Sequence, residues 1–332
     1  MSKSTRWEEI LQEGMNPMDG DPPGLKEIEE AAGRIAGVAS RTPLVESPSL
    51  SRLTGHEVFL KLECFQPIKV FKIRGAYNKI SLLRQSGVVA ASSGNHGIAV
   101  AYSSKLLSKK CTIVLPETAV REKVDTIVEY GAEVVKAGRY SNEREARARK
   151  IAGATGAAFV HPFNDPEVIA GQGTCGLEIA NQLSDIDAVL VPVGGGGLIS
   201  GISTVLKAIR PRTKIYGVEP RGAPKLTEAL KAKKVVNVPS PASIADGLIP
   251  SALGRLTYEV CSKNVDGSFT VSERDILRAT RAMIKEARIF AEPSGAAPLA
   301  PLLSDTSRSI GRRVVLVVSG GNISHELLAK ML

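Results

Sequence analysis

Glu57-Val58-Phe59-Leu60-Lys61-Leu62-Glu63, followed shortly by Phe71-Lys72-Ile73-Arg74-Gly75, is the stretch from which the fold of this chain is read. The first run has the pattern of a strand, and a helical pattern begins near Gly75. Lys72 therefore falls between a strand and the following helix, where open α/β sheets keep their chemistry. Arg74 is expected to hold a positive charge nearby, and the Phe71 ring to pack against a flat ligand. A lysine whose pKa is lowered in such a setting forms Schiff bases with carbonyl compounds. Taken alone, the five residues read first as a solvated basic face at a helix start.

Working outward, the chain of 332 residues with 43% hydrophobic content is long enough for two domains and a sizeable core. It has no apolar run of the ~18 to 20 residues that span a bilayer, and Met1-Ser2-Lys3-Ser4-Thr5-Arg6-Trp7 carries no apolar signal core. A cytoplasmic location is expected. Cys64, Cys111, Cys175 and Cys261 lack paired spacing, which argues against a zinc site or a disulfide framework. The formal charge of +9 raises the question of nucleic acid. Against it, aromatic residues make up only 4% and the basic residues are spread along the chain. Small anionic substrates or solubility account for the charge equally well.

Residues 1–22 read as a poorly ordered, proline-interrupted lead-in. Helical spacing predicts a helix from about 24 to 36, an extended Arg41-Thr42-Pro43-Leu44, a short helix at 49–54 and the strand at 57–63. From Gly75 helices and strands alternate: helix 75–85, strand 88–91, a helix to about 107, strand 111–115, helix 120–130, strand 133–135 and a charged helix near 141–153. Such alternation implies parallel strands joined by helical crossovers. Ala158-Phe159-Val160 is read as a strand returning the chain to a second sheet. Beyond it come helix 167–183, strand 188–193, helix 198–209, strand 215–219 and a last strand, 313–318. The chain ends soon afterwards, so no appended regulatory domain is expected.

Three strand-to-helix junctions carry chemistry. Gly194-Gly195-Gly196-Gly197 offers successive bare backbone N–H groups at a helix start, a cradle for phosphate. Four glycines exceed what a turn needs and cost backbone entropy. They have neither the Gly-x-Gly-x-x-Gly of a dinucleotide fold nor the Gly-Lys-Ser/Thr of a P-loop. Ser92-Ser93-Gly94-Asn95-His96-Gly97 is a second anion-receptive helix start, suited to a carboxylate or a phenolic oxygen, and also reads as an ordinary serine cap. Ser319 ends an apolar strand, where its hydroxyl can meet a heterocyclic nitrogen.

In order and spacing, Arg-Thr-Pro-Leu at 41–44, Leu-Lys-Leu-Glu at 60–63, Phe-Lys-Ile-Arg-Gly at 71–75, Ser-Ser-Gly-Asn-His-Gly at 92–97, Ala-Gly-Gln-Gly-Thr at 170–174, Gly-Gly-Gly-Gly-Leu at 194–198, Ala-Asp-Gly at 245–247, Glu-Pro-Ser-Gly-Ala at 292–296 and Ser-Gly-Gly-Asn at 319–322 form one set. Over nearly its whole length the chain resembles the threonine/serine dehydratase group of the tryptophan synthase β-like, fold type II pyridoxal phosphate enzymes. That group also holds serine racemase and hydroxyaspartate ammonia-lyase. The resemblance implies an α/β fold of two open, mainly parallel sheets flanked by helices, with the cofactor, pyridoxal 5'-phosphate, in the cleft between domains. It implies a large domain of residues 1–74 and 156–332, a small mobile domain of 75–155, and a homodimer or homotetramer.

By the same resemblance Lys72 is the Schiff-base lysine and the base for the α-proton, with Ser93 as a second catalytic candidate. Phe71, Lys72, Asn95, Gly194, Gly195, Gly196, Gly197, Leu198, Gly247, Glu292 and Ser319 are implied cofactor contacts. Asn95 meets the ring hydroxyl, residues 194–198 hold the phosphate and Ser319 faces the pyridine nitrogen. A neutral serine there leaves that nitrogen largely unprotonated, which favours elimination over transamination. Ser92, Ser93, Asn95 and His96 are implied at the substrate carboxylate, with Arg144, by register, closing over it. The implied activity is an ammonia-lyase on L-threonine or L-serine. Racemization and hydroxyaspartate elimination stay open as alternatives on the same scaffold, as does a basic binding protein without turnover.

The chain departs from the family at four places. Ile68-Lys69-Val70 replaces a small, polar approach to the Phe-Lys pair, the segment from Lys72 to Ser92 is shorter than in the racemase, and Ile98 stands where glutamine is frequent. At the racemase's divalent cation site Glu219 and the backbone of Ala223 match, but Lys225 replaces the acidic ligand. An ammonium paired with Glu219 is expected there in place of a metal.

Overall fold

A computed structural model describes residues 20–92, 94–117, 119, 121–138, 141–304 and 310–331. The lead-in read at 1–22 lies almost wholly outside the described residues, and so does Ser93. The strands are β1 (Leu44–Glu46), β2 (Glu57–Leu62), β3 (Gly87–Ala91), β4 (Lys110–Leu115), β5 (Glu133–Lys136), β6 (Ala158–Phe159), β7 (Ala188–Pro192), β8 (Lys214–Pro220), β9 (Gly267–Val271) and β10 (Arg313–Val318). They form a six-stranded sheet, β1-β2-β10-β7-β8-β9, and a four-stranded sheet, β5-β4-β3-β6. Of these strands only β1 runs antiparallel to its neighbour.

The apolar runs of β7 and β10 follow from burial on both faces, as expected for strands covered by crossover helices. Val314, Leu316 and Val318 of β10 join one core with Ala188 and Leu190 of β7. Val315 and Val317 face the opposite core, with Val189 and Val191. The smaller sheet is packed around Val88, Ala90, Ile113 and Leu115 on one side and Val89 and Val114 on the other.

One expectation is corrected by the sheet order. The strand at 158–160 does not return to a second sheet: Ala158 and Phe159 pair with Val88 and Val89, closing the edge of the four-stranded sheet. The segment that crosses between the sheets is His161–Asp165, ending where Asp165 Oδ1 caps the helix Pro166–Gln182 by accepting from the N–H groups of Glu167 and Val168.

The helix at the lysine motif begins at Lys72 itself and runs to Leu82, not from Gly75. Gly75 is needed inside it for close approach: a Cβ there would lie 2.6 Å from the carbonyl of Val168 on the neighbouring helix. Between 220 and 312 the sequence reading proposed no elements, yet helices Lys225–Ala232, Arg255–Asn264 and Glu273–Lys285 and strand β9 occupy it.

Candidate active site

Phe71 N–H donates to the carbonyl of Ser319 at 3.0 Å, and Val70 bridges Gly320. These bonds put the start of the lysine helix against the end of β10, so Lys72 and Ser319 share the C-terminal edge of the large sheet. The amine of Lys72 turns inward and donates to the carbonyl of Pro162 at 2.7 Å, 5.1 Å from the centre of the Phe71 ring. Burial alone brings its pKa down to about 8.

Arg74, expected to hold a positive charge nearby, is not a cause of that shift. Its guanidinium points into a buried network, donating to Glu63 at 2.7 and 2.8 Å and to Glu178 at 2.7 and 2.9 Å. Lys61 adds a second cation against Glu178. The network is a structural pin beneath the motif.

Pro162 is followed by Phe163, whose ring lies over the glycine run. A Cβ on Gly195 would collide with that ring, and one on Gly194 would come within 2.6 Å of the carbonyl of Gly247. Gly196 adopts φ +93°, a left-handed conformation that L side chains resist. It caps the helix Gly197–Ile209, which begins with buried Gly197 and Leu198. Thr257 Oγ1 fastens the loop from behind by donating to the Gly195 carbonyl at 2.8 Å. The result is a glycine-walled helix start whose N–H groups suit an anion.

The second helix start, Asn95–Leu106, faces this edge from the smaller sheet. Ser92 Oγ accepts from the N–H groups of Gly94 at 3.1 Å and Gly97 at 2.9 Å, so the hydroxyl acts as a cap. Asn95 Nδ2 donates to Glu292 Oε1 at 2.7 Å across the two sheets, and Asn322 Nδ2 donates to Asn95 Oδ1 at 2.9 Å. Glu292 is held by its N–H on the Gly320 carbonyl at 3.1 Å. Its carboxyl is pushed up to about 7, by burial first and then by Asp246, against the pull of Lys123 and Asn95. Its Oε2 is buried with no hydrogen-bond partner, a polar atom suited to a ligand. Gly247 N–H donates to Ser294 Oγ at 3.0 Å, which ties the Ala-Asp-Gly and Glu-Pro-Ser-Gly-Ala segments together.

Two buried histidines complete the surroundings. His96 Nε2 lies 3.0 Å from the carbonyl of Val160, and His161 Nδ1 accepts from the N–H groups of Phe163 and Asn164. Both pKa values fall to about 3, chiefly through burial, with the Lys72 charge adding to the effect. Both rings are neutral near pH 7. Sequence reasoning missed His161, Pro162, Phe163 and Asn322; the last was visible within Ser-Gly-Gly-Asn. Arg144 is half-buried on the helix Ser141–Thr155, its guanidinium made less basic by burial while Glu143 acts the other way.

Away from this cleft, Lys225 is fully buried and donates to the carbonyls of Ala223 at 3.0 Å and Leu248 at 2.8 Å, with Glu219 Oε2 3.5 Å away. Glu219 also accepts from the N–H groups of Leu226 and Thr227. These oxygens would suit a hard cation, but an ammonium stands among them, so the residues do not fit a divalent metal.

A family model described as pyridoxal-phosphate dependent enzyme matches residues 35–320. L-threonine ammonia-lyase of Thermotoga maritima is 41% identical over 93% of this chain and 78% of its own length. L-threo-3-hydroxyaspartate ammonia-lyase of Saccharomyces cerevisiae is 35% identical over 93% of this chain and 96% of its own. Among solved structures, a threonine deaminase from T.th. superposes with a TM-score of 0.87 at 40% identity, covering 91% of this chain and 99% of that one. Maize serine racemase gives 0.89 at 38%, covering 92% and 96%. A flat aldehyde with a phosphate tail fits what the cleft offers: an inward-turned amine, a glycine-walled helix start that any Cβ would fill, and an unpartnered buried carboxyl oxygen. With its motifs, two-sheet architecture and relatives in agreement, the chain belongs to the pyridoxal-phosphate dependent enzyme family.

Proposed function

We propose that the protein is a pyridoxal phosphate-dependent ammonia-lyase that removes water and then ammonia from L-threonine or L-serine, giving 2-oxobutanoate or pyruvate. The observation that carries this reading is the tie of Lys72 to Pro162, whose neighbour Phe163 covers the glycine run. It places an amine with a pKa of about 8 near the phosphate-receptive helix start. When bound, the cofactor supplies an electron sink for charge developed at the substrate α-carbon.

The protein's own residues do the rest. Lys72 Nζ takes the α-proton, a role that a pKa of about 8 suits. Gly194 to Leu198 would hold the phosphate, with Gly247 behind them, and Ser319 would offer a neutral hydroxyl to the ring nitrogen. Phe71, Asn95 and Glu292 would hold the ring, with the Asn95 amide available to its oxygen. Ser92, Asn95 and His96, with Arg144 closing, would orient the substrate carboxylate, and Ser93, outside the described residues, keeps its role as a second catalytic candidate. The β-hydroxyl departs as water with the proton equivalent that Lys72 removed, and the released enamine takes up water to yield the 2-oxo acid and ammonia. Among the described residues no helix is long and apolar enough to cross a membrane. We place the enzyme in the cytoplasm, as a homodimer or homotetramer without nucleic-acid partners, with residues 75–155 moving as a small domain and no divalent cation beside Lys225.

Purified protein given threonine, serine and threo-3-hydroxyaspartate, with keto acid as the readout, tests the reading. Keto acid from threonine or serine supports it. D-serine as the main product from L-serine would move the assignment to racemization, and unaltered turnover by Lys72→Ala would remove its basis.

A further inference from the structure

An ion pair joins the two units beside the cleft. Lys123, on the helix Arg121–Glu129 of the smaller sheet, holds Asp246 Oδ2 at the start of the short turn Asp246–Leu248, which belongs to the larger unit. The lysine side chain is only 14% exposed and Asp246 48%, so the cation is sheltered while its partner opens to solvent. On the way to Asp246 the lysine stem crosses Gly94: a Cβ there would lie 3.1 Å from Nζ and 3.2 Å from Cδ. The residue after Asp246 is Gly247, whose carbonyl abuts Gly194 in the glycine run. One side chain thus lies over the carboxylate-receptive helix start and ends on the segment that backs the phosphate cradle.

We propose that Lys123 is a positioning residue: clamped on Asp246, it holds the start of the helix Asn95–Leu106 against the Asp246–Gly247 segment, so that the carboxylate and phosphate ends of the site come together as one. The proposal rests on the ammonia-lyase reading for its substrate, but not for its geometry. Nothing in the mechanism otherwise uses this pair. Two independent features agree with the role. Asn95 reaches across to Glu292 beside it, so the lysine reinforces a crossing already anchored in the polar chain Asn322–Asn95–Glu292. The Lys123 ammonium also bears on Glu292, drawing it toward ionization while Asp246 pushes the other way. A break in the clamp therefore disturbs spacing and charge at one point.

Kinetics on the holoenzyme test this. Lys123→Met and Asp246→Asn are each expected to raise KM for threonine about tenfold, the size of one partly sheltered ion pair, with the cofactor's visible band retained. Each is also expected to speed hydrogen exchange of the amides of the helix Asn95–Leu106. The exchanged pair, Lys123→Asp with Asp246→Lys, is expected to return KM to within about threefold of wild type, because the attraction survives reversal. KM and exchange at wild-type values in both single variants, or a well-folded exchanged pair no better than either single, overturns the proposal. If the exchanged pair does not fold, Lys123→Arg decides: KM near wild type supports the clamp, and KM as high as in Lys123→Met refutes it. Hydrogen exchange needs no substrate. A wild type that turns over no hydroxy amino acid therefore defeats the functional reading and leaves the clamp to be judged on exchange alone.

Discussion

Lys72 Nζ rests on the carbonyl of Pro162 at 2.7 Å, although the two residues come from different sheets' connections. Leaving water behind lowers the amine's pKa to about 8, so the neutral, nucleophilic form is well populated just above neutral pH. The rate at which apo-protein takes up the aldehyde cofactor is therefore expected to rise about tenfold per pH unit below pH 8 and to level off above it. Stopped-flow absorbance between pH 6 and 9.5 measures this. A rate still climbing tenfold per unit above pH 9 would mean an unperturbed lysine.

Gly195 and Phe163 make the second case. A Cβ on Gly195 collides with the Phe163 ring, and moving that ring pulls on Pro162 and so on Lys72. Gly195→Ala is expected to cost about 1 to 3 kcal/mol, as overpacking does, and to weaken cofactor retention on dialysis. Phe163→Leu in the same chain should recover part of both losses. No recovery would show that the glycine is required for another reason.

The pin under the motif should be costly to pull. Arg74 is 1% exposed against fully buried Glu63. Arg74→Met leaves that carboxylate buried and unpaired, a loss of about 3 to 5 kcal/mol. Urea unfolding of apo-protein at pH 7.5 measures it, and a change below about 1 kcal/mol would show that water or another cation takes over.

His96 and His161 make stability depend on pH in a direction that can be worked out. Each has a folded pKa of about 3 and an ordinary value of 6.5. The unfolded chain therefore gains protons first as pH falls. The stability their neutral state contributes is complete above 6.5 and drains away toward pH 3, at up to about 1.4 kcal/mol per histidine per pH unit. His161→Gln, which keeps an acceptor for the backbone N–H groups, should lose less stability than wild type between pH 7 and 5.5. Equal losses would show that His161 titrates normally.

Lys225 carries the expectation for metals. With an ammonium already bound to the carbonyls of Ala223 and Leu248, the melting temperature of apo-protein should be unchanged by EDTA or by millimolar magnesium or calcium. Lys225→Asp is expected to melt lower and to regain stability with either ion. Cation-dependent melting of the wild type would contradict this assignment.

Much of the architecture was legible from periodicity. The strands at 188–192 and 313–318 are continuous apolar runs, and the glycine run after Pro192 announces a helix start open to anions. The amphipathic helix Glu273–Lys285 went unread even though Ser272 caps it with Asp275 three residues on, a local signal that was there to be used. Other misses had no local signal. Phe159 reads as a strand residue wherever it pairs, and only the partner Val89 decides which sheet it joins. Arg74 looks like a charge beside Lys72 until Glu63 and Glu178 are brought against it from other elements.

The sequence by itself determined the alternation of strands and helices, the position of the candidate lysine between strand and helix, the two glycine- and serine-rich helix starts and the family they mark, because each is written within a few consecutive residues. Only the tertiary structure decided that Pro162 receives the lysine, that Phe163 roofs the glycines, that Asn322 and Glu292 hold the two ends of Asn95, and that Lys123 meets Asp246. Those meetings depend on the order of strands in two sheets and on helices close enough to exclude a Cβ, and residues far apart in the chain carry no mark of one another until it has folded.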